Sequence, residues 1–141
     1  MNETLEKIEN LISETNINTE KLRETQINFI KKELKALHCV DKFLGDFPTF
    51  IEPVHLGINV KIGDDVLLGP NVYIGDNCEI GDYCELANTI LFNNVSLGEN
   101  FKLENCIVAK ESKLNFNNLT AFESVLSGQT DSKENLKKIS F

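Results

Sequence analysis

Few side chains in this 141-residue chain belong to types that carry chemistry. There are two histidines, His38 and His55, and four cysteines, Cys39, Cys78, Cys84 and Cys106. An imidazole is the side chain best suited to move a proton near neutral pH. A zinc site needs about four sulfur or imidazole ligands at close spacing. Cys39 beside His38 supplies two, and no cysteine pair forms C-x-x-C, so no metal centre is expected. A nucleophilic thiol needs exposure and a neighbouring base. Cys78 and Cys84 instead recur in an apolar phase of the sequence, which suits small core residues. Asp64, Asp65, Asp76 and Asp82 place carboxylates at regular intervals, and solvated turns are expected there rather than a cation site.

Charge narrows the function further. Lysine and arginine number 14 against 22 aspartates and glutamates, a net charge of −8. A nucleic-acid binder carries a basic stripe, and none is visible. No run approaches the ~20 apolar residues of a membrane span. The acidic start Met1-Asn2-Glu3-Thr4-Leu5-Glu6 is not a secretory leader. Scattered cysteines without a leader fit a reducing compartment, so the cytoplasm is expected.

What positions these residues is a period of six. Aliphatic residues recur at Leu56, Ile62, Leu68, Ile74, Ile80 and Leu86. The series steps by five to Leu91, resumes through Leu97 and Leu103, steps by five to Val108 and ends at Leu114. A glycine follows at Gly57, Gly63, Gly69, Gly75, Gly81 and Gly98, and Asn or Asp dominates the next two positions. A second apolar or small position lies four residues after each aliphatic one: Val60, Val66, Val72, Cys78, Cys84, Ile90, Val95, Phe101, Ile107 and Ser112. Six is the period neither of a helix nor of one long strand. Residues two apart share a side of a strand, and Gly and Asn tolerate the positive φ of a sharp corner. Short strand, corner and short strand, repeated, build a coil whose stacked turns share one apolar column.

This stretch resembles the left-handed parallel β-helix of hexapeptide-repeat proteins, in which three hexapeptides make a coil of about eighteen residues. The rungs group as Leu56/Ile62/Leu68, Ile74/Ile80/Leu86, Leu91/Leu97/Leu103 and Val108/Leu114 with Leu119 or Thr120. About four coils are therefore expected, in a mainly β fold with an N-terminal α-helical segment. The phrases Thr89-Ile90-Leu91-Phe92-Asn93-Asn94-Val95-Ser96-Leu97-Gly98 and Lys102-Leu103-Glu104-Asn105-Cys106-Ile107-Val108 are similar to the C-terminal β-helix of sugar-1-phosphate nucleotidyltransferases such as GDP-mannose pyrophosphorylase. Those enzymes work on a separate α/β domain, whose Gly-rich phosphate loop is absent from these residues.

The resemblance implies an oligomerisation, regulatory or partner-docking module in sugar-nucleotide metabolism, without cofactor and without the nucleotidyltransferase domain. It also implies a homo-oligomer, a trimer first, and a catalytic nucleotidyltransferase as a further partner. The alternative it implies is a CoA-dependent acyltransferase acting on an amino sugar or other small acceptor, with acetyl-CoA at a trimer seam. A third reading is a sugar-nucleotide binding module without turnover. In the acyltransferase His55 is the sole candidate base, facing outward on the first rung, while His38 suits the end of a helix.

Residues 1–46 read as a helical segment and linker, 47–128 as the β-helix and 129–141 as a polar tail. Leu5, Ile8 and Ile12 form one helical stripe, and Ile27, Ile30, Leu34 and Leu37 a second. Thr15 to Thr19 separates them, with Asn18 or Thr19 as the N-cap. The helices are expected to pack on their own β-helix, with a coiled-coil seam and a docking helix as alternatives. Phe47, Phe50 and Ile51 are expected to cap the first coil, and Phe122, Val125 and Leu126 the last. The tail Gln129–Lys138 is expected to fray. Outward Leu67 and Tyr73 are expected at a subunit contact.

Overall fold

The computed structural model describes residues 3–13, 18–30 and 48–140. Thr15, Leu34, Leu37, His38, Cys39 and the linker through Phe47 lie outside the described residues, and with them the expectations they carry.

Two helices open the described chain, α1 (Glu3–Ile12) and α2 (Thr19–Asn28). Asn18 is the N-cap of α2, its side chain accepting from the Lys21 amide at 3.1 Å. That bond satisfies one of the amides a helix start leaves without an intrahelical partner.

Fifteen short strands of the described chain then wind through three parallel sheets. The first sheet holds β1 (Thr49–Phe50), β4 (Leu67–Leu68), β7 (Glu85–Ala87), β10 (Phe101–Glu104) and β13 (Leu119–Phe122). The second holds β2 (Val54–Leu56), β5 (Val72–Ile74), β8 (Thr89–Leu91), β11 (Ile107–Val108) and β14 (Ser124–Ser127). The third holds β3 (Lys61–Ile62), β6 (Glu79–Ile80), β9 (Ser96–Leu97), β12 (Lys113–Leu114) and β15 (Gln129–Thr130). The path is a left-handed β-helix of about five turns. Its buried column runs from Val54 and Leu56 through Leu68, Ile74, Leu86, Leu91, Leu103 and Val108 to Leu126.

The turn count exceeds the four read from the repeat, for a local reason. Leu97 pairs with Leu114 and Leu103 with Ala121, so a six-residue step in one coil becomes seven in the next. The extra residue lies in the corner between Leu114 and Leu119 and takes the last coil out of phase. The tail expected to fray supplies β15, and a further strand, β16 (Lys137–Ser140), pairs antiparallel with β14. Leu136 packs against the end of the column. The expected end caps are only partly placed there. Phe50 packs on the column and Leu126 lies within it, but Ile51 and Phe122 are 46% and 59% exposed. Val125 belongs to the cluster under the helices.

The corners divide their work between residue types. Among the described residues twelve non-glycine positions have positive φ, and they stack in three columns, such as Asn59/Asn77/Asn94/Glu111 along one edge. Eight of the twelve are asparagine, the side chain that tolerates this region best after glycine. Most repeat glycines serve close approach instead. A Cβ on Gly98 would overlap the Phe116 carbonyl of the next coil. The aspartates join coils: Asp76 accepts from the Ile58 amide and Asp82 from the Asp64 amide, each at 2.8 Å. They are structural acceptors, and no group of three metal-binding side chains occurs among the described residues.

Candidate functional site

Each sheet shows one outer face, and the three faces differ in chemistry. The outward residues of the second sheet are His55 and Tyr73, followed by apolar Ile90, Ile107 and Val125. After each five-residue step the inward pair is Thr89 with Leu91 and Cys106 with Val108, so Ile90 and Ile107 turn outward. The six-residue phase had placed both inside. With Val125 they form a stripe that α1 and α2 cover through Leu5, Ile8, Leu11, Leu22 and Phe29.

Gln26, 2% exposed, donates to the carbonyls of Asn88 and Cys106, both at 3.3 Å. Arg23 pairs with Glu123 at 3.3 Å and Glu9 with Lys110 at 3.8 Å, one at each margin. The helices thus pack on their own β-helix. The buried positions of α2 are Leu22 and Gln26, continued by Phe29 and Ile30, whereas Ile27 is 39% exposed.

His55 lies on this covered face. Its ring stacks on Tyr73 at 4.8 Å between centroids and 5° between planes, and Phe29 meets Tyr73 edge-on at 5.7 Å. The candidate base is half-buried in an aromatic row. Tyr73, expected at a subunit contact, is engaged by this chain's own helix. Burial also pushes the Tyr73 phenol above its ordinary value.

Cys78, Cys84 and Cys106 are fully buried, and burial pushes each thiol up to about 11. Their sulfurs donate weakly to carbonyls, as Cys78 does to Phe92 at 3.2 Å. In a Cys39→Ser chain a disulfide reagent at mildly alkaline pH is expected to label none of these three thiols until denaturant is added. Rapid native labelling would contradict the inward placement. The raised folded values favour the protonated thiols, so the unfolded chain ionises first. Stability is accordingly expected to fall as pH climbs from 9.0 through about 11.

The third face is polar. Its outward residues are Lys61, Glu79, Ser96, Lys113 and Gln129. Lys61 pairs with Glu79 at 3.8 Å, and Lys113 reaches Ser96 at 3.5 Å. The corner beside it holds an open polar concavity of about 460 Å³, lined by Tyr83, Glu99, Asn100, Asn117 and Asn118.

The first face combines an apolar groove with exposed charges. Its outward residues are Thr49, Leu67, Glu85, Lys102 and Thr120 in one column and Ala87, Glu104 and Phe122 in a second, with Ile51 exposed beside the buried Gly69. A groove of about 270 Å³ runs past Leu67, Gly69, Ala87 and Phe122. Lys102 and Glu85 pair at 3.5 Å within it. Leu67 was legible from the repeat as an outward apolar residue. Ile51 and Phe122 stand on this face rather than over the coil ends, and for Phe122 the reason is the seven-residue step that puts the last coil out of phase. The β-alternation within Leu119–Phe122 is the signal that places Phe122 outside.

The profile of the GMPPB C-terminal domain matches residues 50–137. No curated protein sequence matches the chain. Among solved structures, the chain is similar to a hexapeptide-repeat-containing acetyltransferase from Vibrio cholerae, at 15% identity and a TM-score of 0.35, covering 95% of this chain and 97% of that one. A mutant of AntD, an N-acyltransferase from Bacillus cereus in complex with dTDP and coenzyme A, is similar at 14% identity and a TM-score of 0.31, covering 78% and 88%. A maltose O-acetyltransferase from Clostridium difficile is similar at 17% identity and a TM-score of 0.31, covering 99% and 88%.

Proposed function

The chain belongs to the GMPPB C-terminal domain family, and from that premise we propose that it is a docking and assembly module in sugar-nucleotide metabolism. The enzyme it would serve is a sugar-1-phosphate nucleotidyltransferase. One observation carries this reading, the inequality of the three outer faces. The second is covered by the chain's own helices and the third is polar and ion-paired. The first leaves Ile51 and Phe122 exposed beside an apolar groove. Exposed apolar patches of this kind mark association sites.

The position of His55 supports docking over acyl transfer, because its ring is committed to the stack on Tyr73. A general base needs reach to its acceptor, whereas the groove lies on another face. No helix among the described residues is long and apolar enough to cross a membrane.

Two measurements test the reading. Sedimentation velocity is expected to show an assembly that Phe122→Asp dissociates, since the substitution sets a carboxylate at the exposed apolar end of the groove. Calorimetric titration with acetyl-CoA is expected to give no heat. Micromolar acetyl-CoA binding would overturn the proposal, as would a monomeric wild-type chain at every concentration both alone and with a nucleotidyltransferase catalytic chain.

A further inference from the structure

We propose that the corner between the third and first faces binds a neutral carbohydrate, with one hexopyranose ring laid on Tyr83. The inference goes beyond the docking reading and stands apart from it, because this corner shares no lining residue with the apolar groove. It follows from two departures from the corner pattern that meet in one place. The positive-φ column along this edge is Asp65, Tyr83, Asn100 and Asn118. Among the described residues Tyr83 is the one aromatic at positive φ. A bulky side chain there is a genuine outlier, and an outlier that the surroundings hold in place points to a use. The turn itself does not require tyrosine. Tyr83 donates its amide to the Asp64 carbonyl at 2.9 Å, as Asn100 does to Asp82 at 2.8 Å and Asn118 to Glu99 at 3.0 Å. Asparagine would hold the same turn at less conformational cost.

The second departure is Glu99. In the neighbouring column short side chains accept from the amide one coil below, Asp82 from Asp64 at 2.8 Å and Asn117 from Glu99 at 3.0 Å. Glu99 stands in that column, yet among the described residues its longer carboxylate makes no such bond. Tyr83 and Glu99 line one concavity of about 460 Å³ with Asn100, Asn117 and Asn118. That volume falls within the roughly 300–1,000 Å³ of small-ligand sites. All five residues are exposed.

The polar groups suit neighbouring hydroxyls. Asn100 donates to Asn118 at 2.7 Å, which leaves the Asn100 carbonyl oxygen to accept and the Asn118 amide nitrogen to donate. The Asn117 oxygen is used on the Glu99 amide, so its nitrogen is also a donor. The Glu99 carboxylate only accepts. A sugar hydroxyl both donates and accepts, so adjacent hydroxyls on one ring edge engage an amide nitrogen and a carboxylate oxygen together. The C–H face of the same ring is apolar and lies on the tyrosine, an aromatic body with a polar tip. No lysine or arginine lines the concavity, and Glu99 sets a negative charge there. A phosphate is therefore repelled, and the ligand is an uncharged sugar rather than a sugar nucleotide.

The methyl glycosides of glucose, mannose and galactose are the probes, titrated into the isotope-labelled full chain and followed by NMR. At least one is expected to bind with a dissociation constant on the order of 1–10 mM, as befits a small ligand in an open site. Shifts are expected at the side-chain amides of Asn117 and Asn118 and at the backbone amide of Tyr83. Tyr83→Phe keeps the ring and is expected to bind within about threefold of wild type. Tyr83→Asn puts the residue type of this column back in place. It is expected to melt no lower than wild type and to bind at least about tenfold more weakly. Glu99→Gln is expected to weaken binding severalfold, because a neutral acceptor replaces a charged one. The absence of shifts with all three glycosides up to about 100 mM overturns the proposal. Undiminished binding by Tyr83→Asn overturns it as well, as does tighter binding of glucose-1-phosphate than of methyl glucoside at the same amides. None of these results touches the docking reading, which the sedimentation of Phe122→Asp decides separately.

Discussion

Gly98→Ala is expected to lower the unfolding free energy by about 3 kcal/mol, among the largest effects of any single methyl group added to this chain. The added Cβ would overlap the carbonyl of Phe116 in the coil above. It would also crowd the Asn117 side chain, whose oxygen accepts from the Glu99 amide at 3.0 Å. The obstacle is backbone in the corner between β12 and β13, tied at both ends to parallel ladders, and it cannot turn aside as a flexible side chain does. Adjacent coils are spaced by the same hydrogen bonds at every edge, so relief at one corner disturbs pairing along both neighbouring strands.

Gly128→Ala is the control. Gly128 has φ of +105°, and nothing lies within 4 Å of a Cβ built there. That substitution meets conformational strain alone, of order 1–3 kcal/mol. Urea titration of both variants separates close approach from backbone conformation. A Gly98→Ala cost under about 1 kcal/mol would mean that the coils yield at the corner, contrary to the packing described.

Phe29→Ala is expected to cost the helix–sheet contact about 3–5 kcal/mol. Phe29 is fully buried between α2 and the second sheet, edge-on to Tyr73. Truncation leaves a cavity in the cluster that Leu5, Ile8, Leu11 and Leu22 share with Ile90, Ile107 and Val125. The loss should be local, because the solenoid column and the helical cluster are separate groups of buried residues. Native-state hydrogen exchange is expected to speed up in α1 and α2 while the strand amides stay protected. Unchanged protection in both helices would show that Phe29 does not hold them. A dye that reports exposed apolar surface is expected to bind the variant and not the parent protein.

The solenoid was legible along the chain, because burial in a β-helix is periodic and the period is short. Every coil must turn three corners, so Gly, Asp and Asn return in phase and the column of Leu, Ile and Val returns with them. The inward fate of Cys78 and Cys84 follows from that phase alone. The N-cap Asn18 was legible for the same kind of reason, since a cap is a local bond between a side chain and an amide three residues on.

Phase also set the limit of what could be read. A five-residue step removes one residue from a corner, and whether Ile90 or Thr89 turns inward depends on how that shortened corner is taken. Only the pairing of β8 with β11 decides it. A seven-residue step hid the fifth coil and left Phe122 looking like an end cap. The antiparallel return of β16 onto β14 was invisible because Lys137–Ser140 carries no repeat.

The role of each outer face was beyond the sequence for a general reason. Outward residues of one face are about eighteen positions apart, as Glu79 is from Lys61, and no local window compares them. Winding the chain gathers each set, lays the helices against Tyr73 with His55 stacked beside it, and leaves Lys102, Glu104 and Phe122 on an open face. A period can be read along a chain, but a surface exists only after the chain has been wound.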